Sequence, residues 1–130
     1  RGSFSLEGHH YQLPKHVEIA VFRIVQEALN NVVNHAKTDK VKVRMHYTDA
    51  ALTVLIADEG VGFDTKYAHD EPTEEFDDSF DMEAQRRKRH FGVIGMEERA
   101  KLIGAAIQIL SEPKKGTKVH LRVENRMVDE

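Results

Sequence analysis

The longest regular pattern in this 130-residue sequence is helical and runs from Lys15 to about Ala36. Such spacing places apolar side chains on one side of an α-helix, so it predicts an amphipathic helix that covers a core. Pro14 precedes the pattern, where a helix tolerates its missing N–H. The apolar residues that recur at steps of three and four are Val17, Val21, Ile24, Ala28 and Val32.

The remainder of the chain predicts four or five strands and a second helix. Alternating or continuous apolar character predicts strands at residues 4–6, 40–47, 52–57, 106–110 and 117–123. The second and third strands should form an antiparallel hairpin. A second helix is predicted over residues 92–103, with Gly104 ending it. Because the strands come in runs that helices do not regularly separate, we expect an α+β two-layer sandwich with a mixed or mostly antiparallel sheet.

Composition restricts the class of protein further. The chain is 40% hydrophobic and 32% charged, as in an ordinary soluble domain. It has no cysteine, which excludes a disulfide framework and thiolate metal sites and is simplest for a cytoplasmic protein. No apolar run approaches the roughly 20 residues of a membrane helix. The net charge of −3 argues against a dedicated nucleic-acid binder. The abrupt start suggests a single domain cut from a longer protein.

Residues 65–90 differ in character from the rest. Between Asp70 and Glu83 there are many carboxylates and no Lys or Arg, and residues 86–89 are then all basic. A charge block without apolar periodicity predicts a mobile loop. Because long loops inside compact domains are commonly functional, we expect a lid at about residues 64–91.

The first predicted helix carries a polar stripe. Glu27, Asn31 and His35 follow one another at steps of four, with Arg23 one step earlier. A solvated face is the ordinary explanation, yet asparagine and histidine form helices poorly. A carboxylate and an amide oxygen on one helix face suit a hard cation such as Mg²⁺.

A glycine loop follows the central predicted strand. Asp58 stands at the strand end, and Gly60 and Gly62 allow the backbone to approach a ligand closely. A carboxylate fixed there can accept a hydrogen bond from an amino group such as N6 of adenine. A plain turn is the alternative, because this motif alone is common.

Two further glycine segments fit a phosphate ligand. Gly92 and Gly95 enter the second predicted helix, where free N–H groups and the helix dipole would favour an anion. The alternative is a loosened loop with Met96 in the core. Gly116 and Thr117 enter the last strand, where the threonine hydroxyl can support a buried carboxylate or a water. A tight turn that leads into the strand explains the same two residues almost as well. The sequence contains no GxxxxGK[ST] and no GxGxxG motif, and its histidines have no zinc-site spacing.

In this order, the motifs E-A-x-x-N, D-x-G-x-G, a long loop, G-x-x-G-M-x-E-R and a late G-T resemble the GHKL ATPase superfamily. Residues 22–31 (FRIVQEALNN) and 90–99 (HFGVIGMEER) look like sensor histidine kinases that pair with LuxR-type response regulators, of the DegS type. The resemblance covers nearly the whole chain. It implies the two-layer GHKL fold with a flexible ATP lid.

The resemblance also implies roles for individual residues. Asn31 is the magnesium ligand and a catalytic residue, and Glu27 is the catalytic carboxylate that reaches the metal through water. Asp58 binds the adenine amino group with support from Thr117. The nucleotide contacts implied are Asn31, His35, Asp58, Gly60, Gly62, Gly92, Val93, Gly95, Met96 and Thr117.

The expected activity is that of a protein histidine kinase. The chain would bind ATP and Mg²⁺ and donate the γ-phosphate to a histidine on a separate dimerisation domain of the same kinase, with a LuxR-type response regulator downstream. The chain departs from the family where Asn34 replaces a common lysine, so that Lys37 or residues 86–89 would meet the phosphate charge. Gly104–Ala105 replaces a glycine pair, and no phosphoacceptor helix precedes the domain. The alternatives are another GHKL ATPase, an anti-sigma serine kinase, or a non-catalytic interaction module.

Overall fold

The structure is a computed structural model that describes residues 2–33, 38, 40–60 and 80–125, of which residues 80–89 are described by their backbone alone. Five strands and two helices follow one another along the chain. They are β1 (Gly2–Glu7), α1 (Lys15–Asn31), β2 (Val41–Tyr47), β3 (Ala51–Asp58), α2 (Phe80–Leu102), β4 (Ala106–Glu112) and β5 (Gly116–Glu124).

The strands form one mixed sheet in the order β1-β2-β3-β5-β4. The β1–β2 pair is parallel, whereas β2–β3, β3–β5 and β4–β5 are antiparallel. The predicted hairpin of β2 and β3 and the mostly antiparallel sheet are therefore confirmed. β3 lies at the centre, between β2 and β5.

One face of the sheet carries the core. The alternate residues of β3 and β5 that point to this face are almost fully buried, among them Val54 and Leu121, which are both 0% exposed. Both helices add their apolar stripes to the same cluster, with Ile24 from α1 and Met96 from α2. Burying apolar area of this kind is the main term that stabilises the fold. The two helices therefore share one layer, and the sheet forms the other.

The second helix begins earlier than predicted, at Phe80 rather than Gly92. Its first half has few apolar residues, but Met, Glu, Ala, Gln, Arg and Lys are good helix formers. The predicted loop over residues 65–90 is therefore wrong from Phe80 onward, and residues 61–79 lie outside the described part. Within the described residues, neither helix combines the length and apolar character that crossing a membrane requires.

The end of α2 is as predicted. Gly104 has a φ of +67°, and its N–H donates to the Lys101 carbonyl over 3.1 Å. The N–H of Ala105 donates to the Ala100 carbonyl over 2.8 Å. These two hydrogen bonds form a Schellman motif, which pairs carbonyls that the helix would otherwise leave unsatisfied. The chain can therefore turn directly from α2 into β4.

Candidate functional site

Gly92 of α2 lies against the polar stripe of α1. A Cβ atom at this position would lie 3.3 Å from the Glu27 carboxylate carbon, 3.3 Å from its Oε2 and 3.5 Å from the Asn31 Oδ1. Glu27 and Asn31 are both half-buried, so neither belongs to a freely solvated helix face. The structure thus brings together three predicted site residues from two different elements. His35 lies outside the described residues.

This contact explains the glycine at position 92 in a different way from the one predicted. We expected free N–H groups at a helix start, but Gly92 and Gly95 lie well inside α2, where backbone N–H groups bond to the preceding turn. The phosphate-site argument from a helix N-terminus is therefore wrong. The missing side chain of Gly92 instead lets α2 approach the oxygen atoms of Glu27 and Asn31.

Val93 and Met96 lie on the core side of α2. They are 2% and 1% exposed, and Met96 packs in the main apolar cluster. The alternative that Met96 is a core residue is therefore confirmed. Their predicted contacts with a nucleotide stay a prediction.

Asp58 ends β3 and begins a tight turn. Its Oδ1 accepts a hydrogen bond from the Gly60 N–H over 2.8 Å, which is an Asx turn. The bond fixes the carboxylate at the strand end, as the sequence suggests for a binding residue. Oδ2 and the second lone pair of Oδ1 stay available as acceptors. Gly62 lies outside the described residues.

The last strand approaches the Asp58 backbone closely. Gly116 has a φ of +85°, and a Cβ atom there would lie 2.2 Å from the Asp58 carbonyl oxygen. Only glycine fits such a position, both for its φ and for its contact. In the antiparallel register Ala57 is opposite Lys118, which brings Asp58 opposite Thr117. The predicted Asp58 and Thr117 therefore lie side by side on adjacent strands.

Ser111 of β4 completes this row, although no motif in the sequence indicates it. It is 7% exposed and pairs with Thr117 across β4 and β5. Its hydroxyl donates to the Gly116 carbonyl over 3.1 Å, and its Oγ lies 2.7 Å from Thr117 Oγ1. A serine hydroxyl has one proton, so Thr117 donates to Ser111 in this arrangement. The Thr117 oxygen then keeps lone pairs that can accept a hydrogen bond from a donor group of a ligand.

A groove of about 520 Å³ opens at this end of the sheet, with Asp58 and Glu59 in its wall. Four lysines line it as well, namely Lys40, Lys42, Lys115 and Lys118. Lysine side chains at the mouth of a site are attractive to an anionic ligand. The two halves of the predicted site, Glu27/Asn31/Gly92 and Asp58/Thr117, both lie at the end of the sheet where α1 and β3 finish.

Residues 16–127 match the family described as histidine kinase-, DNA gyrase B- and HSP90-like ATPases. The protein DegS of Brevibacillus brevis, a signal transduction histidine-protein kinase/phosphatase, is 33% identical over 86% of this chain and 24% of its own length. The sensor protein VraS of Staphylococcus aureus (strain COL) is 33% identical over 86% of this chain and 27% of its own length. The chain thus spans about a quarter of these relatives.

Solved structures show the same fold. The histidine kinase domain of the Erythrobacter litoralis EL346 blue-light activated kinase has a TM-score of 0.64 at 19% identity, over 94% of this chain and 54% of that one. Full-length ShkA in complex with AMPPNP has a TM-score of 0.69 at 13% identity, over 94% of this chain and 25% of that one. At these identities the likeness concerns the fold alone. The family match shows that this chain belongs to the histidine kinase-, DNA gyrase B- and HSP90-like ATPases, and its sequence relatives include sensor proteins of the DegS and VraS type.

Proposed function

We propose that the chain binds Mg-ATP and donates the γ-phosphate to a histidine on a separate dimerisation domain of the same kinase, in two-component signalling. The observation that carries the proposal is the close approach of Gly92 to Glu27 and Asn31. A Cβ atom at Gly92 would lie only 3.3–3.5 Å from their side-chain atoms. This approach brings two side-chain oxygen donors together at the interface of the two helices. Membership of an ATPase family supports the nucleotide as the ligand.

The donor set fits magnesium. The Asn31 amide oxygen and the Glu27 carboxylate are hard oxygen donors, and Mg²⁺ is usually held by one or two protein ligands together with substrate phosphates and water. When bound there, the ion would neutralise charge on the transferred phosphoryl group. Asn31 would hold it directly, whereas Glu27 would orient a water molecule. Because Gly92 has no side chain, no Cβ atom crowds these oxygens.

Asp58 and Thr117 fit the base of the nucleotide. An adenine amino group donates hydrogen bonds. Asp58 and Thr117 still present acceptor lone pairs after their hydrogen bonds with Gly60 and Ser111 are formed. This matching would favour adenine over guanine, which presents a carbonyl oxygen at the same ring position. The base would thus be bound by the sheet and the phosphates by the helices.

The transfer step depends on positioning and charge neutralisation rather than on covalent chemistry by this chain. Within the proposal, the acceptor histidine is on the dimerisation domain, a LuxR-type response regulator acts downstream, and the domain works in the cytoplasm. The DegS relatives are named as histidine-protein kinases, which supports transfer of the phosphoryl group to a histidine, although this chain spans only about a quarter of their length. The dimerisation domain would have to reach the γ-phosphate at the open end of the helix layer.

Calorimetric titration of Mg-ATP tests the binding site. Asn31→Ala should abolish measurable binding by removing the metal ligand, and Asp58→Asn should weaken it by placing an amide donor opposite the adenine amino group. The matched controls are Asn30→Ala on the same helix and Asp49→Asn in an exposed turn. Wild-type affinity in both site variants would refute the proposal.

The transfer step needs a second experiment. The chain is mixed with the dimerisation domain of the same kinase and ATP labelled at the γ-phosphate, and label on histidine is measured. We expect label that depends on Mg²⁺ and is lost in Asn31→Ala. A chain that binds ATP but labels serine, or releases phosphate without labelling protein, would instead be an anti-sigma-type kinase or a plain ATPase.

A further inference from the structure

The sheet face opposite the helices carries two parallel rows of basic side chains. We call this surface the basic face, and it consists of Lys42, Arg44 and His46 on β2 and Lys118, His120 and Arg122 on β5. Their neighbours in each strand, such as Val43 and Val119, are buried in the core. Because side chains alternate along a strand, all six basic residues point away from the helix layer.

The register sets the two rows level with each other. Ala57 of β3 pairs with Lys42 on one side and Lys118 on the other, and Leu55 does the same with Arg44 and His120. Neighbouring strands lie about 4.8 Å apart, so the rows are separated by about 10 Å. Neutral side chains of β3 occupy the space between them. The result is a shallow trough with a positive wall on each side.

The lysine end of the trough is the less compensated one. At the far end, Arg44 pairs with Glu7 over 2.8 Å and Arg122 with Glu124 over 2.9 Å. Lys42 and Lys118, by contrast, form no ion pair with any residue in the described ranges. Two lysines about 10 Å apart that have no ion pair within the described ranges repel each other and would gain from a shared anion.

Lys40 and Lys115 extend the positive charge beyond the strands. Their pairs with Glu59 at 3.9 Å and Glu112 at 3.2 Å join side chains that are at least 67% exposed. Exposed pairs of this kind are worth about 0–1 kcal/mol and readily exchange partners. All four lysines line the groove of about 520 Å³ described above. Asp58 and Glu59 line the same groove, so a ligand at this end of the trough would meet four ammonium groups and two carboxylates.

We propose that the basic face is a docking surface for a short acidic segment of another protein, in extended conformation. Its carboxylates would reach Lys42 and Lys118 on the two sides while its backbone crosses Ala57 and Leu55. Five residues of strand from Lys42 to His46 span about 13 Å, so four or five residues of the partner would be held. This role is additional to nucleotide binding, although the two share the groove at the lysine end, where Asp58 also lies.

The size and the borders of the surface favour a peptide over a nucleic acid. Glu7 and Glu124 stand at the far end of the two rows, where a longer polyanion would meet negative charge. The chain as a whole carries a net charge of −3, which would repel a nucleic acid or an anionic membrane at long range. A short acidic segment carries fewer negative charges than a nucleic acid or a membrane surface, so both costs are smaller for it.

Fluorescence anisotropy with a labelled oligoglutamate peptide tests the proposal at physiological ionic strength. Lys42→Glu/Lys118→Glu should weaken binding by about tenfold or more, because it places like charges opposite the carboxylates. The matched control is Lys15→Glu/Lys101→Glu, which makes the same change in net charge on exposed helix positions. The control should weaken binding by no more than about twofold, as screened distant charges do.

Two further measurements make the test decisive. Amide chemical shifts should move on β2, β3 and β5 in the wild type on peptide addition, and thermal melts should show that both double variants remain folded. Equal weakening by the two double variants would overturn the proposal, since binding would follow net charge alone. So would tighter binding of duplex DNA or of phosphatidylglycerol vesicles through Lys42 and Lys118.

Discussion

The Gly92 Cα and the Glu27 carboxylate are neighbours across the interface of α2 and α1, with no room between them for a relaxed methyl group. A Cβ atom at Gly92 would lie 3.3 Å from both the carboxylate carbon and Oε2 of Glu27. Contacts this short force the neighbour to move by a few tenths of an ångström. The glycine is therefore a requirement of this interface rather than of the helix, where it costs stability.

Gly92→Ala should weaken Mg-ATP binding while leaving the free energy of unfolding almost unchanged. The alanine favours the helix by about 0.8–1.0 kcal/mol, which should offset the strain of displacing the Glu27 side chain. The free energy of unfolding should thus change little, whereas Mg-ATP affinity should fall by about tenfold, equivalent to about 1.4 kcal/mol. Urea unfolding and calorimetry measure the two quantities.

The control for this variant is Gly2→Ala, whose Cβ atom would meet Val41 Cγ1 at an ordinary 3.6 Å. It should keep wild-type nucleotide affinity. A Gly92→Ala protein that binds Mg-ATP as tightly as the wild type would show that Glu27 and Asn31 do not form the metal end of the site.

Gly116→Ala should be among the most destabilising single substitutions. The φ of +85° costs a residue with a side chain about 1–2 kcal/mol, and overpacking against the Asp58 carbonyl adds about 1–3 kcal/mol. Equilibrium urea unfolding should show a loss of about 2–5 kcal/mol. A loss below 1 kcal/mol would contradict the close approach of β5 to Asp58.

Lys114→Gly should have the opposite sign. Lys114 has a φ of +67° in the turn between β4 and β5, where a side chain is unfavourable by about 1–2 kcal/mol. Glycine removes this strain but costs about 0.5–1 kcal/mol of chain entropy, so a net gain of up to about 1 kcal/mol is expected. Lys115→Gly in the same turn is the control and should destabilise. Denaturant midpoints decide between the two signs.

Ser111 and Thr117 should be energetically coupled. Their hydroxyl oxygens lie 2.7 Å apart, and Ser111 is buried. In a double-mutant cycle with Ser111→Ala and Thr117→Val, the coupling energy should be about 1 kcal/mol, as for a partly shielded hydrogen bond. Ser111→Ala should also weaken ATP binding slightly, because Thr117 would lose its fixed acceptor orientation. Additive effects on stability would show that the hydroxyls do not interact.

Arg44→Ala should change the titration of Glu7. The hydrogen bond from the Arg44 guanidinium holds the pKa of the Glu7 carboxyl below its ordinary value of 4.5. Its contribution to stability is thus present above the unfolded-state pKa and is lost as pH falls through the lower folded-state pKa. Carbon-detected NMR should show the Glu7 midpoint rising toward 4.5 in Arg44→Ala. The same midpoint should stay unchanged in Arg122→Ala, which pairs with Glu124.

The sequence predicts those helices and strands in which buried residues recur at a regular spacing. The apolar stripe of α1 and the alternation in β2 and β5 depend on contacts of each residue with one layer, and these predictions are confirmed. The start of α2 was missed because its first half buries little that a periodic pattern can reveal, and intrinsic helix propensity was the signal instead.

The row across the end of the sheet could not be predicted in the same way. The pairing of Ser111 with Thr117 and the position of Asp58 opposite Thr117 depend on the register of three strands far apart in sequence. The parallel addition of β1 to β2 is equally non-local. Among the site residues, Glu27 and Asn31 were recognisable because they interrupt an apolar helix, and Gly92 gained its meaning only from the helix that it contacts.

Asp58 lies on the central strand β3, which we expect to open less readily than the helix interface that carries Glu27 and Asn31. β3 is hydrogen-bonded on both sides, and such strands exchange their amide hydrogens only in the largest unfolding events. We expect the interface of α1 and α2 to open more readily, because no strand ladder connects the two helices. Hydrogen exchange should therefore be slow in β3 with or without nucleotide and should slow on ATP addition mainly at the contact of α1 and α2. The rigid sheet would thus bind the base, and the helix interface would change its conformation when the phosphates bind.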